Sequence, residues 1–587
     1  MVRHVSMGGA ATRQAATLTP AEEATLELIA RLPLVPVRSL LPLSPAGSTA
    51  ALYRRVAGLA RRGLVAAIDG PPASSGPRGR LLLLDNFGLA VLACRRDAEP
   101  AVLARAFGLH RARLAWLARR LPAVLSTYEL LALLARAGEG PARLRAWRQP
   151  WQWSLQAARA AAPRVRLPAW AALEWTTPRG QLGAACVLIA DPGGLSPAAV
   201  RPDLARLGRV LRACGEVGPT VVIATTSVRR VQAWRNVLES VGSSWRGGPL
   251  DGRVATWDAW RAGREKPPLG CPSGVAPARR PAPHSGQERP TRASVPRPID
   301  IDRVRVSVGE WRLSSGQRAV LDVLGRHPFL PTGAIGDVLG KSGRWEREQR
   351  TPLLRRGLVR VVPLQELPSD LRLDASLLEA TRKGLTLLAG SLGLSLAGAV
   401  RYQGLTGGGP ARPIGPRRPL LRHLAHTLGA DAFILALARA ARREPGGALV
   451  EWQNAAACVH GRVRPDGYGL LRIGHREYGF FVEFDRGTVR PAALRAKFAS
   501  YQRYRSSARA LRDYDGFPTV LVVTTGPGAE ERLRRAVQAA GNRRGGRPVV
   551  LLTTVGWIEG CTAAPFGPIW LDPERGIRVR WPVGTRM

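Results

Sequence analysis

Two stretches set the architecture: LTPAEEATLELIARLPLVP, Leu18 to Pro36, and LSSGQRAVLDVLGRHPFLP, Leu313 to Pro331. They are versions of one pattern at an offset of roughly 295 residues, and a repeat of that period organises everything around it. Downstream, LARRGLV (Leu59 to Val65) matches LLRRGLV (Leu353 to Val359), and LLLLDNFGLAVLA matches LLEATRKGLTLLA. Each copy opens on a hydroxyl residue, Thr19 or Ser314, in N-cap position, followed by apolar residues at helical spacing. Each then reaches Gly63 or Gly357, where a left-handed C-cap ends a helix before a strand. Such a run of helices ending in a strand predicts a winged helix-turn-helix.

The match continues past these modules. VLIADPGGLSPAAVRPDLARLGRVLR (Val187 to Arg212) parallels FFVEFDRGTVRPAALRAKFASYQRYR (Phe480 to Arg505), and GPTVVIATTSVRR parallels GFPTVLVVTTGPG. Both read as buried β-branched strands leading through a turn into a helix. The expected plan is α/β and internally duplicated. Residues 1–17 form a disordered N-terminus, 18–110 a first winged helix and 111–262 a degenerate α/β domain; 263–306 form a disordered basic linker, 307–405 a second winged helix, 406–420 a Gly/Pro/Arg linker and 421–587 a second α/β domain.

The 587 residues carry Lys+Arg 87 against Asp+Glu 43, a formal net charge of +44. That excess favours a polyanionic partner, because each neutralised phosphate releases counterions. Arginine far outnumbers lysine, so coding bias accounts for part of it, although bias does not remove acids. The six cysteines form no CxxC pair, so neither a disulfide framework nor a cysteine zinc site is expected, in keeping with a reducing cytoplasm. The start of the chain has no signal-peptide core, and no membrane partner is expected.

Candidate chemistry gathers in RVRPDGYGLLRIGHREYGFFVEFDRGT, Arg462 to Thr488. A two-residue Gly474-His475 turn places Asp466 opposite Glu483, with Asp485 on the same face. Three carboxylates converging there invite a divalent cation able to activate water. A helix beginning at Pro491 sets Leu494, Lys497, Phe498 and Tyr501 on one stripe, so Lys497 and Tyr501 face the acids.

The sequence Pro465-Asp466, Glu483-x-Asp485 and Lys497-x3-Tyr501, between a helix near 422–443, a strand near Glu451 and a strand at Thr519 to Thr525, resembles the replication-relaxation family. That resemblance implies plasmid replication, relaxation and mobilisation functions and a C-terminal domain similar to the PD-(D/E)xK nucleases. It implies metal-binding roles for Asp466 and Glu483, with Glu451 as an extra acid and Mg²⁺ or Mn²⁺ as the ion. The nuclease motif has lysine where this chain has Asp485, and Lys497, set on the helix beside Tyr501, is the candidate replacement. In the first copy Ile189, Asp203 and Leu207 stand in place of Glu483, Lys497 and Tyr501, leaving Asp191 alone to match Asp485.

DNA contacts are expected from Arg54, Arg55, Arg61 and Arg62 in the first module and from Lys341, Arg344, Arg347 and Arg350 in the second. Pro352 should break or kink the second recognition helix. His423, His426, Cys458 and His460 lack regular ligand spacing and read as structural, as do the tryptophans at 147, 151, 153, 170 and 175. Three functions follow. The first is a double-stranded-DNA-binding accessory of plasmid or mobile-element replication, working with replication or transfer proteins. The others are a metal-dependent endonuclease or nickase, and a protein-interaction scaffold or transcription regulator.

Overall fold

The computed structural model describes residues 2–44, 48–71, 79–138, 141–153, 165–177, 180–214, 219–242, 252–265, 298–369, 371, 373–507, 513–514, 516–540, 549–561 and 565–582. It is a mixed α/β protein in two compact units, residues 1–314 with 390–394 and residues 315–389 with 395–587.

The second unit begins with helix Ser315–Arg326, strand Leu330–Pro331, helices Ala334–Leu339 and Gly343–Arg355, and strands Val359–Val361 and Leu377–Ala380. Leu377–Ala380 lies between the other two strands, antiparallel to both. Ser342 caps the Gly343–Arg355 helix through the Trp345 amide, and that helix runs through Pro352 to Arg355 rather than ending there. Phe329 adopts φ 69°, and its fully buried ring compensates the strain of a left-handed non-glycine residue.

The 406–420 segment is no loose linker. Gly407, Gly408 and Gly409 all take positive φ, which folds the chain back so that Gly407 bridges Ile414. Arg417, 2% exposed, then pairs with Glu366 and Glu379, each at 2.8 Å. Burying a guanidinium is tolerable only with such partners, and they lock this segment onto the small sheet.

Helix Leu424–Ala441 follows, then strands Ala448–Asn454, Gly467–Ile473 and Arg476–Asp485, helix Pro491–Ser506, strand Thr519–Thr524, helix Pro527–Ala540 and strand Val550–Thr554. With Trp570–Leu571 and Arg578–Val579 the seven strands lie side by side in chain order. The first three form an antiparallel meander, and the next two join in parallel, as connections through a helix require. On one face Tyr468, Leu470, Phe481, Val520 and Val522 pack beneath Leu494, Phe498, Tyr501 and Leu533. The opposite face carries the 424–441 helix, whose Phe433 meets Trp570 edge to face at 5.7 Å. By length and composition that helix could cross a membrane, but here it is the core helix of a sheet.

In the first unit Val2–Ala16 is helical, where the sequence suggested disorder. Helix Pro20–Arg31 opens on a complete capping box between Thr19 and Glu22. Strand Val35–Pro36, helix Val37–Leu40, helix Thr49–Arg61 and strands Val65–Asp69 and Arg80–Leu84 follow, with Arg80–Leu84 central in a three-stranded sheet. Leu34 has φ 68° and is fully buried, as Phe329 is. A five-stranded sheet then runs in the order 252–256, 220–225, 180–190, 169–177, 142–148, with the same strand directions as the first five strands of the larger sheet. The expected disordered linker lies outside the described residues over 266–297, while Ile301–Gly309 is a helix capped by Asp300.

Candidate functional site

The Gly474-His475 turn sets the register of the central hairpin. Gly474 takes φ 58°, and the ladder runs from Ile473 opposite Arg476 to Gly467 opposite Val482. Asp466, one residue beyond, donates its amide to Val482 O at 3.0 Å and so faces Glu483 as the sequence predicts. Gly469 is required in this hairpin, because a Cβ there would lie 2.2 Å from the Phe480 ring.

The acids share a face but are largely committed. Glu483, 2% exposed, accepts from Tyr501 Oη at 2.6 Å and from Lys497 Nζ. Asp466 accepts from the Phe484 amide at 2.8 Å and pairs with His426 Nε2 at 3.0 Å. Asp485 is different. It is 8% exposed, and no described group donates to its Oδ1. Among the described residues no group of three or more His, Cys, Asp or Glu side chains is gathered so as to hold a metal ion.

Burial pushes the Glu483 carboxyl up to about 7, with the Lys497 charge pulling it down and Asp466 pushing it further up. Burial opposes the Lys497 charge, but Glu483 and Asp466 outweigh it and raise its pKa. For Asp466 burial is likewise outweighed, here by the His426 hydrogen bond and the Lys497 charge, and its pKa falls. The bond to Asp466 in turn raises His426. On the same helix, burial and then the Asp466 charge push Asp431 up to about 8.

Glu483, Lys497 and His426 open on a cleft of about 430 Å³ that His423, Phe484, Asp485 and Arg486 also line, with Leu494, Phe498, Val522 and Leu533 as apolar wall. His426, which its sequence spacing marks only as structural, is therefore a site residue. Glu451 is not. It pairs with Leu470, four residues along the strand from Asp466 and so roughly 13 Å away, and its carboxylate accepts from Gln453 at 2.6 Å. Cys458 and His460 hold local contacts instead, Cys458 Sγ donating to Asn454 O and His460 pairing with Tyr514 and Asp513.

A buried carboxylate oxygen without a donor is costly, so Asp485→Asn should raise the stability of this unit by about 1 kcal/mol. Chemical denaturation measures it, and a lowered midpoint would mean that Asp485 has a donor in solution.

In the first unit the corresponding positions are apolar or self-satisfied. Ile189 and Leu207 are fully buried in the core, and Asp203 pairs with Arg206. Asp191, fully buried, accepts from Thr225 Oγ1 (2.7 Å), Arg230 Nη2 (2.6 Å), Trp234 Nε1 (2.9 Å) and the Gly193 amide (2.9 Å). Trp147 and Trp175 are core residues, 3% and 0% exposed, whereas the side chains at 151 and 153 lie outside the described set.

The basic residues of the small modules divide. Arg54, Arg61, Lys341 and Arg347 are exposed, and Arg344 is 88% exposed while pairing with Glu348. Arg55 is half-buried near Thr25 and Ser44, and Arg62 is tied to Glu22 at 2.5 Å. Arg350, 17% exposed, is held by Glu346, which also accepts the Gly333 and Gly336 amides. Arg62 and Arg350 are thus each held by a carboxylate of their own module.

The hairpin, the helix carrying Lys497 and the small sheet before them all fall within a single match. Residues 321–520 match the replication-relaxation family. No match is found among curated proteins or among solved structures. The replication-relaxation segment begins within helix Ser315–Arg326 and ends within strand Thr519–Thr524, so it spans Lys341 to Arg350 and every acid of the cleft. That match supports a replication-related role. Leu533, on the cleft's far wall, lies beyond it.

Proposed function

We propose that this protein binds double-stranded DNA through its small helical modules, as an accessory to replication, relaxation or transfer of a plasmid or mobile element. The observation that carries this reading is the order helix, strand, helix, helix, strand, strand around a three-stranded antiparallel sheet, the order of a winged helix-turn-helix, present once in each unit. In each module the third helix, or its entry turn, displays exposed basic groups, Arg54 and Arg61 in one and Lys341, Arg344 and Arg347 in the other. The equal strand order of the two larger sheets favours a duplicated origin, with the first copy degenerate.

Binding should weaken steeply with salt. Replacing Arg344 and Arg347 together by alanine should lower the slope of log K against log salt by about two, one per lost phosphate contact. Fluorescence anisotropy on a labelled duplex across a salt series measures it; unchanged affinity and slope would remove this helix from the interface.

A metal-dependent nuclease is the second reading. It is favoured by the helix, three strands, helix, strand order of the domain and by Lys497 on Glu483 at an open cleft. The donors as arranged do not fit a cation, because Asp466 and Glu483 are already occupied and only Asp485 Oδ1 is bare. Supercoiled plasmid with Mg²⁺ or Mn²⁺ separates the readings: nicking abolished by Glu483→Ala selects the enzyme, and intact plasmid with salt-sensitive binding selects the accessory.

A further inference from the structure

The two units treat one position in opposite ways. Asp191 follows strand Gly180–Ala190, and Asp485 ends strand Arg476–Asp485; each strand has a parallel neighbour, which ends at Thr225 or Thr524. A helix follows each neighbour, Val228–Gly242 or Pro527–Ala540. Counted from those threonines, Arg230 and Ala529 lie at the fifth position and Trp234 and Leu533 at the ninth. The first unit therefore satisfies its carboxylate with an indole N–H and a guanidinium from within. In the second, alanine and leucine replace both donors, the carboxylate oxygen is left bare, and Leu533 lines a cleft of about 430 Å³.

A site whose counterpart is filled by a bicyclic aromatic N–H donor is shaped for a ligand of the same kind. We propose that the cleft takes one unpaired purine of a nucleic-acid strand, guanine above the others, with its ring in the space that Trp234 fills in the first unit and its N–H edge on Asp485. The volume suits one small ligand, since such pockets start at roughly 300 Å³, and it excludes an intact duplex. Phe484, Phe498 and Leu494 supply apolar surface for the ring, while His423, His426 and Arg486 stand where the attached phosphate would lie. Guanine is favoured because its N1–H and N2–H₂ are adjacent donors. On that edge adenine and cytosine set an acceptor beside their amino group, and thymine flanks its single N–H with carbonyls that a carboxylate repels.

This inference rests on the DNA-binding reading for the source of the nucleotide, but the pocket is measurable without it. The full chain is titrated calorimetrically with dGMP and dTMP, and by anisotropy with a perfect duplex and the same duplex carrying one bulged guanine. Tenfold or greater preference for dGMP over dTMP, and for the bulged duplex over the perfect one, is expected, with and without EDTA. Leu533→Trp, which rebuilds the indole of the first unit, should erase both preferences and leave perfect-duplex binding unchanged. If that variant does not fold, Asp485→Ala, which removes the acceptor, should erase the guanine preference in the same way. Equal binding of the two nucleotides, binding of neither, a preference that appears only with Mg²⁺, or a preference that survives both substitutions overturns the inference. Selective dGMP binding without duplex binding would overturn the reading under Proposed function instead.

Discussion

Asp191→Asn should destabilise the first unit by roughly 3–5 kcal/mol, the range for removing one partner of a buried ion pair. The carboxylate is fully buried, and its oxygens take donors from three separate segments: the turn amides of Gly193 and Leu195, the Thr225 hydroxyl at a strand end, and Arg230 and Trp234 on the following helix. An amide keeps the shape, but it loses the charge that Arg230 faces and turns a donor toward groups that are themselves donors. Arg230 is 26% exposed, so part of its charge can be rehydrated, which places the cost at the lower end of the range. Denaturant melts of the full chain report it as an earlier transition of one unit while the other holds. A substitution that leaves both transitions in place would mean the network orders the turn without stabilising the unit. Asp485→Asn carries the opposite expected sign, and the contrast comes from partners alone, because the two aspartates occupy the same place in their sheets.

What the sequence revealed was governed by short-range geometry. The Asp466–Glu483 pairing was legible because a two-residue turn leaves one register open, and the approach of Lys497 and Tyr501 because helical spacing puts them on the stripe of Leu494 and Phe498. His426 was not legible. It reaches Asp466 from forty residues earlier in the chain, from the start of a helix on the other face of the sheet, and helical phase does not say which residue overhangs a strand end. Glu451 was misplaced for a related reason, since its strand pairs it with Leu470 and carries it along the sheet away from the cleft. The 406–420 segment has the composition of a linker, yet composition does not report that Arg417 finds Glu366 and Glu379. The N-terminal seventeen residues were misread likewise: their mean hydropathy is low, but Val2–Ala16 forms a helix that packs on helix Asn86–Arg95. The tie of Arg350 to Glu346 was legible, because Glu346 lies one turn before it.

Lys497→Met should cost roughly 2–3 kcal/mol of stability at pH 8 and much less at pH 5. Glu483 is buried, and its pKa of about 7 stands above the ordinary value of 4.5, so the folded state holds a proton that the unfolded chain releases between those values. The group's contribution is therefore complete below about pH 4.5 and is lost as pH rises through about 7. Lys497 limits that loss by stabilising the ionised form through its charge and its hydrogen bond. Without the ammonium the Glu483 pKa moves higher still, and at pH 8 the variant must fold either around an uncompensated charge or with a carboxyl protonated against the bulk. At pH 5 Glu483 is protonated in both proteins and Asp466, whose pKa is lowered, is the main charge left for the lysine to balance, so less is lost. Lys497 is itself 39% exposed, so solvent screening brings the alkaline cost below that of a fully buried pair. Denaturation midpoints of the two proteins at pH 5 and pH 8 give the comparison directly, and an equal loss at both would place Glu483 in its ionised form throughout. The physical content is that Lys497 and Tyr501 hold a carboxylate poised near neutrality at the edge of the cleft, where binding of any charged group would shift its proton.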